Sequence, residues 1–216
     1  MKSIKSLNRF DIVYFSLALL FALILLPRNL KSIGILLFGI SVILLNFNRK
    51  KYFNTRFFLL NVIFFFGIIC TLLYTTNYDY AIRKLQTMSS LLVFPFLFSL
   101  FNLEDRQKIL NQKYFFLAIY ILSVFLFNSV VFSWFYLTHY SFSDLVYHFH
   151  RVVLVDIGKF GIHPIYLSMH CCLAILFSAF IFKTIQKKNL KIILVFINLV
   201  LMFFLIIYAR KGPLLA

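Results

Sequence analysis

The sequence predicts an all-α, polytopic helical membrane protein with about seven transmembrane helices, an eighth begun at the C-terminus, and a cytoplasmic N-terminus. Three observations predict it. Seven long apolar runs follow one another across short gaps. Only 13% of the residues are charged, against about a quarter in a soluble domain, and the mean hydropathy is +0.94. All 22 Lys and Arg residues lie in the gaps, in counts of 3, 2, 4, 2, 3, 2, 4 and 2, so alternate gaps hold 14 against 8. Cytoplasmic loops carry an excess of Lys and Arg, so this alternation sets which gaps face inward.

The first run, Phe10–Leu26, follows the basic start Lys2, Lys5 and Arg9. A signal peptide has that form, but the exit Leu25-Leu26-Pro27-Arg28-Asn29 has no small-residue cleavage site, so the run is read as a retained helix. Ser32–Phe47 and Phe57–Tyr74 come next. The fourth run, Leu85–Leu103, is the weakest, because its strictly apolar part, Leu91–Leu100, is short and contains Pro95. Were it re-entrant, every later gap would change sides and the basic alternation would break, so it is taken as a span. Tyr114–Leu137, Pro164–Phe182 and Ile192–Ala209 complete the seven, and a further run starts at Gly212. Crossing the hydrocarbon core takes ~20 residues, and in lipid each backbone group must be bonded within its own segment or a closed barrel. A barrel strand alternates apolar and polar residues. These runs are continuously apolar, which leaves helices. Residues 1–216 are expected to form a single transmembrane domain.

A net charge of +16 would point to nucleic acid in a soluble protein; here it lies mostly in inward gaps beside anionic headgroups, so no nucleic-acid partner is expected. The 30 Phe residues suit lipid-facing surface. Cys70, Cys171 and Cys172 have no partner motif and read as small apolar packing residues.

Polarity concentrates between positions 139 and 170, which hold all five histidines with Asp144, Asp156, Arg151 and Lys159. By the charge alternation this is the third outer loop, residues 138–163, and the start of the sixth helix. His148 and His150 share a face only if extended, and no His-Glu-x-x-His pattern is present, so no metal is expected. Interfacial histidines beside Tyr136, Tyr140 and Tyr147 are the simpler reading. In Gly161-Ile162-His163-Pro164-Ile165-Tyr166-Leu167-Ser168, Pro164 suits a first helical turn and puts His163 at the N-cap or just before it, where free amides attract anions. Tyr166 and His170 then share one helical face. At the other end, Arg210 and Lys211 stand between two apolar stretches; they either snorkel to the interface or hold a phosphate, for which the Arg fork is well shaped.

The His163, Pro164, Tyr166, Ser168 segment and the Arg210, Lys211, Gly212 turn resemble the O-antigen ligase and O-antigen polymerase superfamily. Ala81–Phe98, with Leu85, Ser89, Ser90, Leu91 and Pro95, is similar to the family helix preceding its first larger external segment. The resemblance implies a multi-pass protein of the bacterial inner membrane, in lipopolysaccharide biosynthesis. It implies inverting, cofactor-free and metal-independent transfer of a glycan at the periplasmic face. The donor is an undecaprenyl-pyrophosphate-linked glycan; the acceptor is lipid A–core or a second carrier-linked chain. An Arg matched by Arg210 contacts the carrier pyrophosphate there, with Lys211 beside it. His163 is the weak candidate for a catalytic base, and with Tyr166 a candidate for positioning the carrier headgroup. The family continues with further helices and a large loop carrying another Arg and the acceptor-activating His, so the chain is expected to be the N-terminal portion of a longer protein. A membrane transporter and a non-catalytic membrane subunit stay open as alternatives. Against a transporter, only Pro95 interrupts a run and no charge sits at a run's centre.

Overall fold

The computed structural model describes residues 9–47 and 52–209. All regular structure among them is helical: α1 (Arg9–Ala22), α2 (Arg28–Asn46), α3 (Thr55–Cys70), α4 (Tyr78–Thr87), α5 (Ser90–Ser99), α6 (Leu103–Asn111), α7 (Lys113–Thr138), α8 (Phe142–Arg151), α9 (Pro164–Phe182) and α10 (Lys188–Ala209). Short 3-10 turns at Thr71–Leu73 and Gly158–Phe160 and a π turn at Val152–Asp156 join them. The chain divides into two compact units, one of Met1–Tyr14 and Leu37–Asn111, the other of Phe15–Leu36 and Gln112–Ala216.

Side-chain caps set many of the helix starts. An N-cap oxygen satisfies a first-turn amide that has no partner inside the helix. Asn54 accepts from Phe57 N at 2.9 Å, Asn77 from Tyr80 N at 3.0 Å and Asn102 from Asp105 N at 2.8 Å. Ser141 does the same for Asp144 N at 3.3 Å. α1 gives way to turns before Pro27, which disfavours a helical conformation at the residue preceding it.

In the first unit, α3 packs along α5. Phe96 of α5 meets Phe53 and Phe58, at centroid distances of 6.0 and 6.4 Å, and Asn54 N donates to Ser99 O at 2.9 Å. Phe38 of α2 is fully buried among Phe94, Phe98 and Phe101. Gly39 lets this helix lie close to α5, since a Cβ there would meet Leu97 at 3.8 Å.

In the second unit, α9 and α10 form an antiparallel hairpin, with α7 against α9 and α8 folded onto α7 and α10. Its core includes Ile121, Val124, Leu145, Phe149, Leu167, Cys171, Ala174 and Leu201. Leu145 and Phe149, one turn apart on α8, are completely buried, so this short helix is fixed by its apolar face. Phe149 stacks on Tyr208 at 5.7 Å and meets Phe132 edge-on at 5.3 Å.

Among the described residues three helices are long and apolar enough to cross a membrane: Lys113–Thr138, Pro164–Phe182 and Lys188–Tyr208. They coincide with the fifth, sixth and seventh runs. The third run is a bent pair, Thr55–Ile63 and Phe65–Leu73, turned by 43°. The fourth is divided: Thr87 ends α4, and α5 is only 10 residues, about 15 Å of helix, with Pro95 inside it. The polar stretch Thr87-Met88-Ser89-Ser90 marks the break. The segment 138–163, expected as a loop, is mostly helical. The run beginning at Gly212 lies outside the described residues.

After the π turn the backbone doubles back tightly. Gly158 has φ 59°, in the left-handed region, and Ile162 N donates to Val153 O at 2.8 Å. A Cβ on Gly161 would stand 2.5 Å from Leu154 O and 3.0 Å from Gly158 O, both backbone atoms. Gly161→Ala should therefore cost about 1–3 kcal/mol and lower the melting temperature in detergent. Gly67→Ala, with nothing within 4 Å of its Cβ, should leave it unchanged or raise it.

Candidate functional site

The second unit carries two polar features on an apolar scaffold. The first is the turn from the π segment into α9. Pro164 occupies the first helical turn and holds His163 extended, at φ −62° and ψ 131°. The His163 side chain caps the helix, accepting from Ile165 N at 3.4 Å, and its ring meets Tyr166 edge-on at 6.1 Å. Tyr166 is 61% exposed. The structure thus brings His163 and Tyr166 together at the start of α9. Ser168 turns its hydroxyl to Ile165 O at 2.8 Å.

His170 takes a different partner. Its Nδ1 lies 2.6 Å from the hydroxyl of Tyr120 on α7, inside a cage of Phe21 and Phe177 around the Tyr ring. His148 and His150 lie on the helix α8, two positions and so about 200° apart. Among the described residues no group of three or more His, Cys, Asp or Glu is placed to hold a metal ion. Arg210 and Lys211 lie outside the described residues; Ala209, directly before them, ends α10.

The second feature is a seam of polar side chains between α7, α9 and α10. Asn128 is completely buried at the centre of α7. Its amide nitrogen donates to Val124 O at 2.8 Å and faces Cys171 Sγ at 3.8 Å, while its oxygen accepts from Tyr208 OH at 2.5 Å. One turn and more away, Ser178 Oγ donates to Asn198 Oδ1 at 2.6 Å. Tyr120–His170, Asn128–Tyr208 and Ser178–Asn198 each join two of the three long helices. Sequence reading named His170 but gave no role to Tyr120, Asn128, Ser178 or Asn198. The available signal was Asn128, a lone amide in the middle of the longest apolar run.

Between the C-terminal turns of α1, α7 and the π turn lies a cavity of about 660 Å³. Leu25, Leu126, Val130, Val131, Trp134 and Phe160 contribute to a lining that is almost wholly apolar. Asp156 is the carboxylate at its wall, held by Tyr140 OH at 3.3 Å and standing 4.0 Å from Arg151 Nε. Its position follows from the π turn, whose wider winding re-aims side chains relative to an α-helix.

Chemically, the capped helix start offers a free imidazole nitrogen, a phenol and partly free amides to a polar headgroup. At the centre of the seam the Asn128 oxygen is already taken by Tyr208 and its nitrogen by Val124 O. The chain matches no protein-family model, no curated protein and no solved structure.

Removing one member of a buried pair strands the other. Tyr208→Phe should destabilise the protein by roughly 0.6–2 kcal/mol, because Asn128 Oδ1 loses its donor. Adding Asn128→Leu should cost less than the sum of the two single changes. Thermal unfolding of the four proteins in one detergent measures this coupling; strict additivity would mean that the pair holds nothing together.

Proposed function

We propose that the chain is a membrane-embedded glycan ligase or polymerase of the O-antigen ligase type, acting on an undecaprenyl-pyrophosphate-linked glycan at the outer face of a bacterial inner membrane. The acceptor is lipid A–core or a second carrier-linked glycan. In this reading seven crossings start from a cytoplasmic N-terminus, the fourth using the end of α4 and α5 in tandem. The basic residues around the three longest helices give their orientation a local basis as well. The gaps before α7, between α7 and α9, and between α9 and α10 hold 3, 2 and 4 basic residues, which favours α7 leaving the cytoplasm, α9 returning and α10 leaving again.

One observation carries the functional reading. In the antiparallel hairpin Ser178 faces Asn198, so Ala209 comes level with about Leu167, next to Tyr166 and His163. Arg210 follows Ala209 directly in the sequence. Ala209 and the His163–Tyr166 start of α9 therefore share one end of one hairpin, the end turned outward by the charge count, and Arg210 and Lys211 come next in the sequence. Departure of a glycan from a diphosphate needs cations where negative charge develops, which is the role for Arg210 with Lys211 beside it. His163 and Tyr166 position the headgroup. The acceptor hydroxyl needs a base, and His163, with one ring nitrogen committed to its cap, is a poor choice for it.

The polar seam favours a second reading, a transporter, because polar side chains buried between membrane helices mark conduction paths in such proteins. The closed pairing of Asn128 with Tyr208 speaks for packing instead.

Two measurements test the proposal. A periplasm-active reporter fused after Asp156 should be active and one fused after Lys188 silent; the opposite pattern reverses the orientation. In cells making the protein at its natural length, Arg210→Lys should reduce glycan transfer about ten- to hundred-fold at unchanged protein level, because Lys keeps the charge and loses the two-pronged grip. Glycan ladders of normal length and amount on a gel would leave Arg210 as an interfacial anchor only.

A further inference from the structure

The cavity beside α7 has a shape and a charge pattern that suit a different ligand from the carrier. Its α7 wall runs from Ser123 to Phe135, about 18 Å along the helix, somewhat more than half of a ~30 Å hydrocarbon core. The α7 lining is apolar from Leu126 to Phe135, Ser123 lies near the middle of α7, and the charged group of the lining is Asp156. Ser123 adds no open polar group, because its hydroxyl donates to Ala22 O at 3.1 Å. A volume of about 660 Å³ is in the range of small-molecule sites, ~300–1,000 Å³.

Asp156 is the charged residue of the lining, and Arg151, outside the lining, stands beside it. Asp156 Oδ1 and Arg151 Nε are 4.0 Å apart; the Arg151 side chain is 67% exposed and the Asp156 side chain 22%. So loose a pair leaves the guanidinium able to turn outward. A diphosphate would meet the carboxylate, which opposes it. A phosphoethanolamine headgroup presents phosphate and ammonium a few ångströms apart, matching Arg151 and Asp156 in turn.

We infer that this cavity binds one acyl chain of a phosphatidylethanolamine from the outer leaflet, with the lipid phosphate on Arg151 and its ammonium on Asp156. The inference rests on the membrane orientation proposed above and is independent of the glycan chemistry. The bound lipid fills the space between α1, α7 and the π turn and ties the 139–163 segment to the bilayer surface.

Native mass spectrometry of the delipidated protein, titrated with phosphatidylethanolamine or phosphatidylglycerol in one detergent, tests it. One lipid should be retained per chain, with phosphatidylethanolamine preferred roughly twofold to fivefold, as expected for a partly exposed charge contact. Asp156→Asn should abolish the preference. Ala22→Phe and Val130→Trp, which place bulk in the cavity, should each abolish retention, while Leu176→Phe, on an exposed part of α9, should not. If one filling variant fails to fold, the other decides. Quenching of Trp134, the single Trp of the chain, by brominated-chain phosphatidylethanolamine should saturate at one lipid in the wild type. No retained lipid, no preference between the two headgroups, or retention that survives filling overturns the inference. Reporter fusions with the expected pattern alongside any of these would leave the orientation standing and this site refuted.

Discussion

Asn128 must find its partners inside the protein, and the way it does so ties three helices together. The amide sits at the centre of a 26-residue apolar helix and is fully buried. It reaches back to its own helix at Val124, toward Cys171 on α9, and accepts from Tyr208 on α10. Apolar contacts between such helices are tolerant of sliding, because one Leu or Phe replaces another at little cost. A buried amide is not, since a shift of one residue leaves it unpaired. Ser178 with Asn198 and Tyr120 with His170 add two further fixed points between the same helices. With the register of α9 and α10 set, Phe204 and Tyr208 form the surface that receives Phe149 of α8. The 139–163 segment is therefore held in place from below.

How much of this was legible depended on the length of the signal. α7, α9 and α10 are uninterrupted apolar stretches with clear starts, and their positions follow from composition. The start of α9 was readable to the residue, because proline tolerates the first helical turn and pushes His163 out of the helical region. α5 was not, since an apolar run gives no measure of where its backbone turns; the polar Thr87–Ser90 stretch and Pro95 were the only hints. α8 was missed although Ser141 stands three residues before Asp144, an N-cap with an acid in the first turn, followed by Leu145 and Phe149 at helical spacing. Its polar residues drew attention as candidate ligands and masked the helical period.

The candidate site divides in the same way. His163 and Tyr166 are neighbours in sequence and were placed correctly by local rules. Tyr120 and His170 are 50 residues apart, and Asn128 and Tyr208 are 80 apart, so only the packing of whole helices could pair them. His170 shows the cost: local spacing assigned it to the face of Tyr166, and tertiary packing turned it to α7. Arg210 and Lys211 lie outside the described residues, and their part rests on sequence alone.

The helix lengths have a further consequence. α7, at 26 residues, is about 39 Å long, whereas α9, at 19, is about 28 Å. If both cross the same bilayer, α9 fits it nearly flush, and α7 must lean or stand proud by roughly two turns. The excess would then be a pedestal for α8 and the π turn, which lie between α7 and α9 in the chain. The height of that segment above the lipid is then governed by bilayer thickness. A thicker membrane would draw it down among the headgroups, and a thinner one would lift it into the water.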